Sequence, residues 1–427
     1  MKKYQYLILC LFLFIANYTF AQFTLDGEFR PRTEYRHGFG SPIAEDTDAG
    51  FGIATRARLN FGYNTENYKF YISLQDVLTW GENRQLLPAD ANNSFAVFEA
   101  WGELNLGKGF TTKIGRQTID YDDQRILGSV GWAQQARNHD AALLKYKKDN
   151  FLLDVGLTFN QDKANLSGFS SVGTEYSTTG FFSYKTMQYL YAKQSWDTFS
   201  GSLLVLNNGF QEYEDDATTP DGTSSLVTIG THLAYKKGKL GVSSNLFLQT
   251  GKRQGEIDVK GAYLASLDLN YKTSNKVTLG AGFELISGND ADAGETGAFF
   301  PLYGTNHKFN GFMDYFYVGN HANSVGLLDV HISANFKLND TSSLMIKALN
   351  FSGEQELASG DKSLGTELDL VFSKKFKGYG LAVGYSQMFA NDGMYELKGT
   401  TKDASAGSQN WAWAMLTIKP KFLNTTK

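Results

Sequence analysis

Residues Phe23–Arg36 alternate between two chemistries. The odd positions, Phe23, Leu25, Gly27, Phe29, Pro31, Thr33 and Tyr35, are mostly apolar. The even positions, Thr24, Asp26, Glu28, Arg30, Arg32, Glu34 and Arg36, are almost all charged. Successive side chains of a β-strand point to opposite faces, so this segment has one greasy face and one ionic face. A soluble sheet can show the same pattern with its polar face in bulk water. The run is long for a soluble strand, however, and it begins directly after a secretion signal. A wall between lipid and a water-filled lumen requires a strand of this kind.

The signal is read from Lys2 and Lys3, from the short apolar run Leu7–Ala16, and from Thr19 and Ala21 at the −3 and −1 positions of a cut before Gln22. Residues 1–21 are therefore expected to be a signal peptide and residues 22–427 a single unit, an uncleaved anchor being the alternative. Cys10 would leave with the signal, and no other cysteine exists to support disulfide or thiol chemistry. No later segment reaches about 18 consecutive apolar residues, which excludes helical membrane spans. Mean hydropathy is −0.31. The chain holds 23 Tyr, 32 Phe and 44 Gly but only 6 Pro, a composition that suits a barrel with aromatic girdles. Formal net charge is −4, becoming −6 without Lys2 and Lys3, which argues against a nucleic-acid partner.

Segments of period two recur to the end of the chain, and eighteen can be read, from 23–37 to 410–420. Short polar turns alternate with long connections at Gly38–Ala49, Gly81–Asn93, Ile119–Asn138, Gln161–Thr179, Asn289–Asn323 and Phe389–Asn410. The expectation is an all-β chain forming a single transmembrane antiparallel β-barrel of about 18 strands, with short periplasmic turns and long extracellular loops. An even strand count puts both ends of the mature chain on the periplasmic side. A barrel of this size leaves an aqueous interior unless loops close it.

Nine of the ten arginines precede residue 140. Strand parity points Arg30, Arg32, Arg36, Arg56 and Arg58 inward from the first two strands. Arginine presents a planar fork to carboxylates, whereas lysine is a flexible point charge. Interleaved with Asp26, Glu28 and Glu34, these arginines suit weak, releasable contacts with a polyanion. An internal salt-bridge ladder bracing the wall explains the same residues. The segment Gly115–Ala142 (GRQTIDYDDQRILGSVGWAQQARNHDAA) is the densest signature. It is expected either to fold back as a constriction or to pack outside as a loop.

The runs FRPRTEYR, ATRARLNFGY, QDVLTWG, the Gly115–Ala142 segment, ELISGND, LYGTNHKFNGFMDYF and LGTELDLVF together make the chain resemble the alginate-export family of outer-membrane porins. The resemblance implies a barrel in the outer membrane of a Gram-negative bacterium that passes an anionic polysaccharide such as the polyuronate alginate. It implies pathway residues at Arg30, Arg32, Arg56, Arg58, Arg116, Arg125 and Arg137, with acidic neighbours at Glu28, Asp123 and Asp140. It also implies a monomer in contact with outer-membrane lipid, with periplasmic secretion partners, and no cofactor or metal.

Other chemistries stay open at this stage. A general porin or a loop-plugged adhesion barrel fits the strand pattern. Tyr121, His139 and Arg137 can be cast as a polysaccharide-lyase set. Asp122–Asp123 and Asp215–Asp216 are adjacent acids that point apart on an extended chain. Asn289, Asp290, Asp292 and Glu295 lack the full EF-hand pattern and read as a polar external loop.

Overall fold

The computed structural model describes residues 22–82, 94–160, 184–214, 220–289, 295–317, 321 and 324–425. The expected signal peptide, Arg84, Asp215–Asp216, Asp290 and Asp292 lie outside the described residues. The strands are β1 (Gln22–His37), β2 (Gly50–Asn64), β3 (Tyr68–Thr79), β4 (Ala96–Gly107), β5 (Phe110–Gln117), β6 (His139–Lys148), β7 (Phe151–Phe159), β8 (Thr186–Ser195), β9 (Phe199–Tyr213), β10 (Pro220–Lys237), β11 (Leu240–Arg253), β12 (Ile257–Lys272), β13 (Val277–Ile286), β14 (Leu327–Lys337), β15 (Ser342–Ser352), β16 (Ser363–Lys375), β17 (Tyr379–Ala390) and β18 (Gln409–Ile418). Each pairs antiparallel with its sequence neighbours, and β18 returns to β1, so the sheet closes as an 18-stranded barrel.

A short β19 (Lys421–Asn424) continues β18 beyond Pro420 and pairs with Thr24–Asp26 of β1. Proline has no amide hydrogen to give, but its carbonyl accepts from Gly27 N at 3.0 Å, so the seam stays bonded across the break. The sequence alternation ended at Pro420, and β19 lay beyond it.

Register fixes which charges face inward. Glu28 stands opposite Arg58 and Arg30 opposite Arg56, while Phe29 pairs with Ala57 between them. Phe29, Tyr35 and Phe51 are exposed on the outer face, as are Ile114, Leu157 and Ile332 on other strands. Beside the short turns, ring pairs recur: Tyr63–Tyr68, Phe110–Tyr146, Trp196–Phe199 and Phe376–Tyr379. They form an aromatic girdle on the short-turn rim, where amphipathic rings sit at the lipid headgroups.

The long connections do not all stay outside. The stretch read as an external linker over 289–323 turns inward between Phe299 and Phe316, where Phe299, Phe300, Leu302, Tyr303, Met313, Tyr315 and Phe316 are buried. These large apolar side chains are poorly suited to water and find an apolar floor inside the barrel. A short helix, α1 (Asp392–Leu397), interrupts the β17–β18 connection, where the sequence reading had only loop.

Candidate functional site

The β5–β6 connection, residues 118–138, also folds into the lumen. It carries Ile119, Ile126, Leu127 and Val130, all buried, among polar neighbours. The first three join a cluster with Leu143, Met187, Tyr189 and Leu206 of the strands and with the second inward loop. The two loops meet backbone to backbone. Gly128 N donates to Tyr303 O at 2.9 Å, and Thr305 N donates to Gln124 O at 2.9 Å. Glycine is needed at the crossing: a Cβ on Gly304 would lie 2.3 Å from Arg125 O, and one on Gly128 would lie 2.4 Å from Thr305 Oγ1.

Polar contacts strap this segment to three sectors of the wall. At the first, Asp122 accepts from Tyr191 OH (2.8 Å), Lys193 Nζ (2.9 Å) and Ser202 Oγ (2.5 Å), and Asp123 Oδ2 accepts from Asn245 at 2.6 Å. At the second, Arg125 Nε and Nη2 donate to Glu284 of β13 at 2.9 and 2.5 Å, Nη1 to Asn306 at 2.8 Å and Nη2 also to Asn310 at 3.1 Å. At the third, Gly131–Gln135 lie against the arginines of β1 and β2.

That third contact answers an electrostatic problem. Arg30 and Arg56 stand directly opposite each other, and like charges so placed repel. The loop supplies acceptors between them. Arg30 Nη1 donates to Gly131 O at 2.7 Å, and Nη2 to Trp132 O and Ala133 O at 3.1 Å each. Arg56 Nη1 donates to Ala133 O and Gln134 O at 3.2 Å each, and its other face pairs with Glu28. Arg32 Nη1 donates to Trp132 O at 2.6 Å, pairs with Glu34, and lies 4.2 Å over the Trp132 ring. Trp132 in turn stacks on His307 of the second loop and meets Trp411 and Trp413 edge-on.

The pathway residues expected from the sequence thus divide. Arg30, Arg32, Arg56, Arg58 and Glu28 converge on the inner face of β1–β2, and Arg125 and Asp123 lie within the strap. Arg137 Nη1 donates to Gly304 O at 3.1 Å, tying the end of one loop to the other. Arg116 and Asp140 are a correction. They form a bidentate pair at 2.9 Å across β5 and β6, but they share parity with Ile114 and Leu144, both exposed outside. They therefore sit on the outward face near the loop-side rim rather than in the lumen.

Arg58 differs from its neighbours. Among the described residues its guanidinium makes one hydrogen bond, Nε to Gln75 at 2.7 Å, makes no ion pair, and stacks 3.7 Å over Phe98. It borders a cavity of about 350 Å³ on the short-turn side of the strap, with Glu28, Asn60, Tyr71, Glu99 and Lys419. Tyr71 and Glu99 were not singled out from sequence, although both share the inward parity of their strands.

Acidic side chains gather on another sector of the wall. Asp268, Glu284, Asp329, Glu367 and Asp369 stand on β12, β13, β14 and β16, and His331 bridges Asp329 and Asp268 at 3.2 and 2.9 Å. Of the residues cast as a lyase set, Tyr121 donates to Asp154 at 2.7 Å, His139 Nδ1 shares a hydrogen bond with Tyr184 OH, and Arg137 is held by Gly304 O. Among the described residues, no group of three or more His, Cys, Asp or Glu is placed to hold a metal ion.

A closed antiparallel barrel with a lipid-facing apolar belt, short turns at one rim and loops folded inside defines an outer-membrane channel of the porin type. Solved barrels share this architecture. OccAB4 of Acinetobacter baumannii superimposes with a TM-score of 0.63 at 13% identity, covering 94% of this chain and 98% of that one. The outer membrane protein opdK of Pseudomonas aeruginosa gives 0.60 at 13% identity, over 94% and 99%. OprD of Pseudomonas aeruginosa gives 0.58 at 12% identity, over 94% and 96%. No curated protein matches the chain. The alginate export family matches residues 21–407, and the chain belongs to that family.

Proposed function

We propose that this channel lets an anionic polysaccharide or its oligomers, of the polyuronate type, diffuse past the arginine face of β1–β2. The observation that carries the reading is the convergence of Arg30, Arg32, Arg56 and Arg58 on the side of the lumen where the strap narrows it. Three of these cations are committed to the strap or to Glu28 and Glu34, so they set a positive rim, while Arg58 lines the cavity below without an ion pair among the described residues. Fixed charge of one sign beside a constriction concentrates counter-ions and speeds their entry. In this reading the barrel works as a monomer, passively, with no bond made or broken, and periplasmic partners deliver the polymer.

The family name and the arginine face support this reading. A second reading, a barrel closed by its own loops, draws on the apolar packing of Ile126, Leu127, Phe300 and Tyr303 inside the lumen. Planar-bilayer recording separates them. Anion preference with block by uronate oligomers, and none by neutral ones, is the outcome expected of the conduit. A silent barrel would overturn it in favour of the closed one.

A further inference from the structure

The cavity below the strap differs chemically from the arginine cluster above it. Tyr71 of β3 stacks on Trp101 of β4, with ring centres 5.3 Å apart and planes 27° from parallel. Lys113 Nζ lies over the Trp101 ring, 3.9 Å from its centre, and the indole N–H donates to Glu99 at 3.1 Å. Trp101 is thus held by two side chains besides Tyr71, and Tyr71 borders the cavity. Gly62 stands opposite Tyr71 in register, and the small Thr24 side chain of β1 reaches into the place a Cβ there would take.

Polar groups surround that ring with both signs. Arg58, whose Nε is given to Gln75 and whose Nη2 is buried without a partner, lines the cavity as a single cation. Asp26 and Glu99 make no ion pair among the described residues, and Asn60 donates to Asp26 at 2.7 Å. Glu28 is already matched by Arg56 and by Lys419 at 3.1 Å. A pyranose presents an apolar C–H face and a rim of hydroxyl donors, so it complements an aromatic face flanked by carboxylates. A single carboxylate on the same ring answers Arg58. A densely sulfated or phosphorylated ring would meet Asp26 and Glu99 as like charges.

We propose that this cavity is a periplasm-facing loading subsite for one uronate unit, with Tyr71 as its stacking platform, Arg58 as its carboxylate anchor, and Asp26 and Glu99 as hydroxyl acceptors. The subsite rests on the conduit reading and adds to it a place of entry and a discrimination between uronate and sulfated sugars.

The full chain is reconstituted in a planar bilayer, and a linear mannuronate tetramer is added on the short-turn side. Sulfated maltotetraose and unmodified maltotetraose serve as the comparison probes. Tyr71→Ala shortens the dwell time of each block about tenfold, equivalent to ~1.4 kcal/mol, while Tyr71→Phe keeps it within about twofold. A conducting pore in each variant shows that the barrel has assembled. Equal dwell times in the parent and Tyr71→Ala would overturn the subsite and leave the conduit standing. Sulfated maltotetraose held as long as mannuronate would overturn the assigned class. A conducting parent that mannuronate never blocks would overturn both readings.

Discussion

Arg30 and Gln134 hold each other in both directions. The guanidinium donates Nε and Nη2 to Gln134 Oε1 at 3.1 and 2.9 Å, and Gln134 Nε2 donates back to the Arg30 carbonyl at 3.2 Å. Gln134 Nε2 also reaches Ala54 O on β2, at 2.9 Å. One loop side chain thus bridges the two strands that carry the opposed arginines.

Gln134→Leu keeps the volume and removes these bonds. Leaving buried donors unmatched costs ~1–3 kcal/mol, and the opposed Arg30 and Arg56 would press on a loosened strap. The expected result is a lower urea midpoint together with higher and noisier open-pore current. Current identical to the parent's would show that the strap holds without this residue.

Arg125 and Glu284 make the most deeply buried ion pair of the strap, with side chains 2% and 5% exposed. Removing one partner of such a pair strands a charge and costs ~3–5 kcal/mol, whereas replacing both is far milder. Arg125→Met alone should therefore lower the unfolding midpoint in detergent sharply, and Arg125→Met with Glu284→Leu should recover most of the loss. A double variant as weak as the single one would mean that Asn306 and Asn310, rather than the charge pair, fix this point of the wall.

Parity predicts opposite consequences on the two faces of the barrel. Ile332, 63% exposed on the outer face of β14, should cost ~2–4 kcal/mol as Ile332→Lys and impair assembly, because the new charge faces hydrocarbon. Arg58→Gln should fold like the parent and lower anion-over-cation selectivity, measured as a shift in reversal potential under a salt gradient. Similar effects from both substitutions would contradict the register of the barrel.

The closed barrel was legible because period-two patterning is a local property. Phe29 and Arg30 announce their faces without reference to any distant residue. The inner arginines of β1–β2 were legible for the same reason. Their partners were not: Gly131 lies about a hundred positions from Arg30 and offers a backbone carbonyl, which no residue type signals. Arg116 is placed in the pathway by the family resemblance, yet its own strand parity with Ile114 points it outward. The inward course of Phe299–Tyr303 had a signal in its bulky apolar run, which suits a packed interior better than a loop in water.

Lys398 links the loops to pH. It follows α1 in the β17–β18 connection, and its ammonium donates to Tyr315 O and lies over the Tyr315 and Phe316 rings of the second inward loop. Burial pushes its pKa down to about 8 from an ordinary 10.5. Below pH 8 both folded and unfolded chains carry the proton, and the full burial penalty weighs on the fold. Between about 8 and 10.5 the folded chain gives up the proton first, the unfolded chain binds more, and stability rises with pH. The gain is at most ~3 kcal/mol and stops above the unfolded value. Lys398→Met lacks this titration, while every other group titrates in common. The difference in urea stability, variant minus parent, should therefore be most favourable to the variant near pH 7 and shift toward the parent by pH 10.5. A difference that stays flat across that window would show that Lys398 is charged or neutral alike in both states, and that the contact with Tyr315 does not depend on its proton.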